Sequence, residues 1–164
     1  MVDVDSDGST GFHLSERPVH RPYVKRYDDE PDEHPTAWAR RFDVSRWGFL
    51  AAYRNGERVG GAVVARDTDA VRLLDGRRDL ALLWDIRVAT HARGHGIGAA
   101  LFRAAEEWSI PHGSSTLAVE TQNVNVPACR FYAAQGCTLG AINRFAYPAL
   151  PNEVQLLWYK RLVR

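Results

Sequence analysis

The sequence predicts an α/β fold, a single-domain sandwich of helices packed on a mixed β-sheet. Three observations carry this. The apolar pattern switches at Ile97 from alternation to helical spacing. Segments of the two patterns follow one another as β-β-β-α-β-α-β-β. A length of 164 residues suits one domain with a sizeable core.

Residues 1–11 carry Asp, Ser and Gly and little to bury, so they read as a mobile tail before a domain spanning 12–164. Residues 12–27 hold two prolines and several basic side chains, with an early strand around 23–27. The acidic run at 28–33 reads as a solvated loop; its functional reading is a lure for a cationic amine. A short helix over 36–42 has Ala37, Trp38 and Phe42 as anchors. Strands at 47–53 and 58–65 flank Asn55-Gly56, a strong hairpin signal. Gly60-Gly61 marks a bend or a close backbone contact. A polar loop near 66–70 and a turn at Asp75-Gly76 precede the strand at 80–88, where Asp85 and Arg87 alternate with Trp84, Ile86 and Val88.

The helix from Ile97 carries Ala100, Leu101, Ala104, Ala105 and Trp108 on one stripe, and Pro111 and Gly113 stop it. The strand at 116–121 is its parallel partner through a right-handed crossover. Asn125 is an N-cap with Pro127 in the first turn, and the helix 126–135 ends at Gly136. Strands at 137–146 and 153–162 complete the order, and the last offers an edge for a homodimer.

Composition narrows the function. A formal net charge of +1 gives no basic face for nucleic acid. No apolar run reaches membrane-spanning length. The first residues lack a basic-then-apolar leader, so a cytoplasmic protein is expected. Cys129 and Cys137 lie in apolar contexts and read as core thiols. Cysteine spacing offers no metal site, and no metal is expected.

The loop Arg93-Gly94-His95-Gly96-Ile97-Gly98 carries the chemistry. The first amides of a helix have no intrahelical partner and hold the positive end of its dipole. Glycines let an anion approach without a Cβ in the way. Strand, Gly-rich turn and helix N-terminus together can hold a phosphate or a diphosphate. The spacing is neither the dinucleotide G-x-G-x-x-G nor a P-loop. The plain alternative is a tight turn with no ligand.

Arg93, Gly96 and Gly98 after Asp85-Ile86-Arg87-Val88 form R-x-x-G-x-G, which resembles the acyl-CoA-binding motif of the GNAT superfamily of N-acetyltransferases. Asn125, Ala128, Phe131-Tyr132 and Gly136 resemble that superfamily's second motif, in the expected order. The resemblance runs from about residue 45 to the C-terminus. It implies a sheet splayed between its fourth and fifth strands, here 80–88 and 116–121. In the gap, the backbone of Ile86 and Val88 binds the pantetheine arm of acetyl-CoA like an added strand. The amides of Gly94, His95, Gly96, Ile97, Gly98 and Ala99, with the Arg93 side chain, hold the diphosphate. His95 stands where Lys or Arg is commoner. Asn125 sits beside the far end of the arm. An amide near Val88, at a bulge, polarises the thioester carbonyl.

The same resemblance implies direct attack by an amine within a ternary complex. Tyr132 is the candidate acid for the departing thiolate, against a plain core tyrosine. Glu120 is the first-choice base, at offsets resembling the ribosomal-protein N-acetyltransferases. Its plain alternative is a structural acceptor. Asp85 is the rival base on the acceptor side, or an ion-pair partner of Arg87 or Arg144. Tyr147 and Tyr159 are candidates to line the acceptor site. The five tryptophans read as packing.

Finer matches, including residues 42–65 and VQLLWYK, are similar to the streptothricin acetyltransferases. That resemblance implies a small-molecule amine as acceptor. Two other functions stay open: acetylation of a protein N-terminus or lysine, and a non-catalytic acyl-CoA-binding module.

Overall fold

The hairpin at Asn55-Gly56 sets the register of the first sheet strands. Both residues adopt left-handed backbone, at φ of 52° and 81°, as a two-residue turn between twisted strands requires. It joins β3 (Gly48–Arg54) to β4 (Glu57–Arg66) in antiparallel pairing. The computed structural model describes residues 1–6, 12–20 and 34–163. The expected strand at 23–27 and the acidic run at 28–33 lie outside the described residues.

Before the hairpin come β1 (Val2–Ser6), β2 (Phe12–Glu16) and α1 (Pro35–Arg41). After it come β5 (Leu80–Val88), α2 (Ile97–Ser109), β6 (Thr116–Gln122), α3 (Val126–Ala134), β7 (Thr138–Asn143) and β8 (Gln155–Arg161). Strands β3 to β8 form one sheet in the order β3-β4-β5-β6-β8-β7, and β1 and β2 pair separately. β4 and β5 are antiparallel, while β5 and β6, joined through α2, are parallel. The sheet is therefore mixed, as expected. The β5–β6 ladder runs from Leu80↔Thr116 to Leu83↔Val119, although β5 continues to Val88 and β6 to Gln122.

Two expectations change. The reading of residues 1–11 as a tail does not fit Val2–Ser6. These form β1 opposite β2, and Val2 is buried. Val2-Asp3-Val4-Asp5 alternates as a strand does, but the Asp, Ser and Gly content of the segment outweighs so short a pattern. Strand β8 lies between β6 and β7, so it is not an edge that could pair across a homodimer.

Contacts divide the chain into two compact units, residues 1–25 with 120–158, and 26–119 with 159–164. In the second, a core of Trp38, Trp47, Ala65, Val71, Leu74, Leu80, Leu82 and Ala118 is joined by Phe42 and Trp84. The aromatic rings there meet edge-on or tilted, Trp38 with Trp84 at 6.3 Å and Trp47 with Trp84 at 5.3 Å. Helix α2 packs on β3, β4 and β5. Two glycines allow that approach. A Cβ on Gly48 would lie 2.7 Å from the Trp108 indole, and one on Gly60 would lie 2.7 Å from Arg87 O.

In the first unit, Asn123 is a buried junction. Its backbone exchanges bonds with Val2 N (2.8 Å) and Val154 O (3.0 Å). Its side chain accepts from Val154 N (2.8 Å) and donates to Val2 O (3.3 Å). Trp158 Nε1 donates to Thr121 Oγ1 at 2.9 Å. Cys129 is buried beside the same hydroxyl at 3.6 Å, and burial pushes its thiol up. No helix among the described residues is long and apolar enough to cross a membrane.

Candidate active site

The Gly-rich loop lies in the second unit, between the turn Thr90–Ala92 and α2. Gly94 and Gly96 both sit at φ +78°, and a Cβ on either would meet nothing within 4 Å. Glycine is required there by backbone conformation, not by crowding, and the space before the loop is open. Gly96 is the N-cap of α2, with no side-chain cap hydrogen bond. The helical ladder begins with Ala100 N on Gly96 O, at 3.0 Å. The N–H groups of Ile97, Gly98 and Ala99 therefore precede the ladder, at the positive end of a thirteen-residue helix. Arg93 Nε donates to Val88 O at 3.1 Å, bracing the loop's cation against the end of β5. His95 Nδ1 lies 2.9 Å from Arg93 O, and both side chains are exposed.

The backbone of β5 is also directional. Ala89 N donates to Val59 O at 2.9 Å, continuing the β4–β5 register of Gly60↔Val88, Gly61↔Arg87, Ala62↔Ile86 and Val63↔Asp85. Alternation in an antiparallel ladder then turns the N–H and C=O of Asp85 and Arg87 toward β4. Those of Ile86 and Val88 face away from β4, beyond the last β5–β6 pair. The bulge expected near Val88 is instead at Trp84: Val63 opposes Asp85 and Val64 opposes Leu83. The extra residue keeps the Trp84 ring in the aromatic core while the pleat is re-aimed.

The first unit gathers a second group of polar side chains. Tyr147 donates its hydroxyl to Glu120 Oε1. Gln122 Nε2 donates to Tyr147 Oη at 3.1 Å and approaches the same Glu120 oxygen at 3.5 Å. Burial, then the hydrogen bond to Glu120 and its charge, hold the Tyr147 phenol well above the usual range. Tyr132 stands on α3, 5% exposed, edge-on to Phe131 at 5.2 Å. Asn125 caps α3, its Oδ1 accepting from Ala128 N at 3.3 Å.

Such an arrangement suits an anionic carrier on the loop and an ionisable acceptor elsewhere. Residues 16–137 match the model of the acetyltransferase (GNAT) family. The chain belongs to that family. It is 35% identical to a streptothricin acetyltransferase of Escherichia coli, over 91% of this chain and 76% of that one. A nourseothricin acetyltransferase crystal structure superposes with a TM-score of 0.73 at 29% identity, covering 99% of this chain and 84% of that one. A streptothricin acetyltransferase homologue from Bacillus anthracis, crystallised with acetyl coenzyme A, shares the fold with a TM-score of 0.74. It is 21% identical, over 99% of this chain and 83% of that one.

In this acetyltransferase the remaining sequence candidates fall into place individually. Asp85 accepts from Arg87 Nε at 2.7 Å, the ion pair expected of two residues on one strand face. His91 and His95 stand four apart but turn to different partners, His91 to Glu57 Oε1 (3.6 Å) and His95 to Arg93 O (2.9 Å). Gln122 escaped sequence reasoning. Its signal was its place two residues beyond Glu120 on a strand, which puts both on one face.

Proposed function

We propose that this acetyltransferase moves an acetyl group from acetyl-CoA to an amine of a small cationic molecule of the streptothricin type. One observation carries the acceptor: likeness to a streptothricin acetyltransferase extends over 91% of the chain. It therefore reaches well beyond the Gly-rich loop.

The roles follow from the chemistry of each group. The amides of Gly94, His95, Gly96, Ile97, Gly98 and Ala99, with Arg93, hold the diphosphate. Open space before Gly94 and Gly96 and an uncapped helix start support this assignment. The outward backbone groups of Ile86 and Val88 pair with the pantetheine arm. Asn125, by capping α3, fixes the start of the helix that bears Tyr132.

Glu120 takes the proton of the acceptor ammonium, which at a pKa of about 10.4 is mostly charged at neutral pH. The freed amine nitrogen forms a bond to the acetyl carbon, and the carbon–sulfur bond breaks. Tyr132 gives its phenolic proton to the departing thiolate, and the second proton shed by the nitrogen as the amide forms restores the phenol. Asp85 is the weaker base candidate, since its partner is the cationic Arg87 guanidinium, whereas the donors on Glu120 are neutral.

A thiol-release assay with acetyl-CoA against a panel of amines tests this reading. The panel contains streptothricin, free lysine, a polyamine and an N-terminal ribosomal peptide. Fastest turnover with streptothricin is expected. Turnover on the peptide alone would replace the small-molecule reading, and none with any amine would favour an acyl-CoA-binding module.

A further inference from the structure

We propose that Tyr147 is a positioning residue. Its hydroxyl, oriented by the Gln122 amide, points its proton at Glu120 and holds that carboxylate aimed for proton abstraction. The inference rests on the reading of Glu120 as the base.

The hydrogen bonds have a fixed direction. Gln122 Nε2 can only donate, and it meets Tyr147 Oη at 3.1 Å. The phenol oxygen accepts there, which commits its single proton to Glu120 Oε1. The relay therefore runs from amide to phenol to carboxylate. Glu120 and Gln122 share one face of β6, and Tyr147 arrives from the segment after β7.

The charged groups that act on the Tyr147 phenol include, among the described residues, Glu120 on β6 and Glu153 from the segment before β8. Both carboxylates oppose ionisation of the phenol, and burial adds to them. Tyr147 thus stays protonated and remains a donor throughout the working range. A donor held against one oxygen of a carboxylate fixes the direction in which the group points.

The test measures kcat, KM and melting temperature with acetyl-CoA and streptothricin, or the best amine of the panel, for wild type, Tyr147→Phe, Gln122→Leu and Glu120→Gln. Tyr147→Phe is expected to lower kcat about tenfold, with the KM for acetyl-CoA and the melting temperature held. Gln122→Leu lowers kcat the same way but less, and it decides the matter should Tyr147→Phe not fold. A loss of kcat that simply follows a lowered melting temperature overturns the proposal, because a purely structural role would act that way. Glu120→Gln separates the two readings. If it keeps wild-type kcat, the base assignment fails and this proposal with it. If it abolishes turnover while Tyr147→Phe and Gln122→Leu keep wild-type kcat, the base stands and only the positioning role falls.

Discussion

Replacing Gly96 by Ala separates a demand of the fold from a demand of the ligand. Gly96 sits at φ +78°, and its added Cβ would enter open space. The folding cost is then backbone strain alone, about 1–2 kcal/mol for an L-residue in left-handed conformation. For a chain of this size that lowers the melting temperature by about 2–8 °C. The cost to binding is larger. The new methyl stands where a diphosphate must approach the N–H groups of Ile97 and Gly98. Loss of two charge-assisted hydrogen bonds weakens CoA affinity about 100-fold, or about 2.7 kcal/mol.

Gly48→Ala is the matched control. Its Cβ would lie 2.7 Å from the Trp108 indole, in the last turn of α2. Overpacking there costs about 1–3 kcal/mol of stability, with CoA affinity held within about threefold once the protein is folded. Titration calorimetry with CoA, beside thermal melts of both variants, gives the comparison. Wild-type affinity in Gly96→Ala would refute the diphosphate assignment. So would an affinity loss in both variants that simply follows their melting temperatures.

Other outcomes follow from single contacts. Tyr132→Phe should lower kcat about 100-fold, with CoA affinity preserved by calorimetry; undiminished kcat would return Tyr132 to a packing role. Gly48→Val should destabilise by about 1–3 kcal/mol in denaturant titration, because the first added carbon already falls 2.7 Å from the Trp108 ring. The Asp79 carboxyl is held down to about 2 from an ordinary 3.8 by the Arg77 guanidinium. A depressed folded value means stability that is complete above about pH 4 and lost as the pH falls through about 2. Melting temperatures of Asp79→Asn should accordingly vary less than those of wild type across that interval.

Where local chemistry dictated structure, the sequence was readable. Asn55-Gly56 had one good conformation between two strands, and the period change at Ile97 marked the start of α2 within a residue. Glycine spacing revealed the loop because positive φ and open approach both demand that residue. Pairings that depend on distant partners were harder. Strand β1 alternates Val and Asp, but two apolar residues are too few to mark a strand without β2 and Asn123 to pair with. The bulge at Trp84 reflects where the indole must lie among Trp38, Phe42 and Trp47, which no local pattern states. On the acceptor side, Glu120 and Tyr147 were visible as single candidates, 27 residues apart. Their bond, and the amide of Gln122 that directs it, depend on how the segment after β7 returns to β6.

The four bonds at Asn123 have a practical side. Trimming the first two residues, or fusing a bulky tag that drags Val2 away, would strip Asn123 of two of these bonds, one at its backbone carbonyl and one at its side-chain amide. An orphaned polar group of that kind costs about 1–3 kcal/mol. The damage would sit one residue from Gln122, so preparations differing only in their leader could disagree in activity for reasons unrelated to the acceptor. A purification handle placed after Arg164 avoids that disturbance.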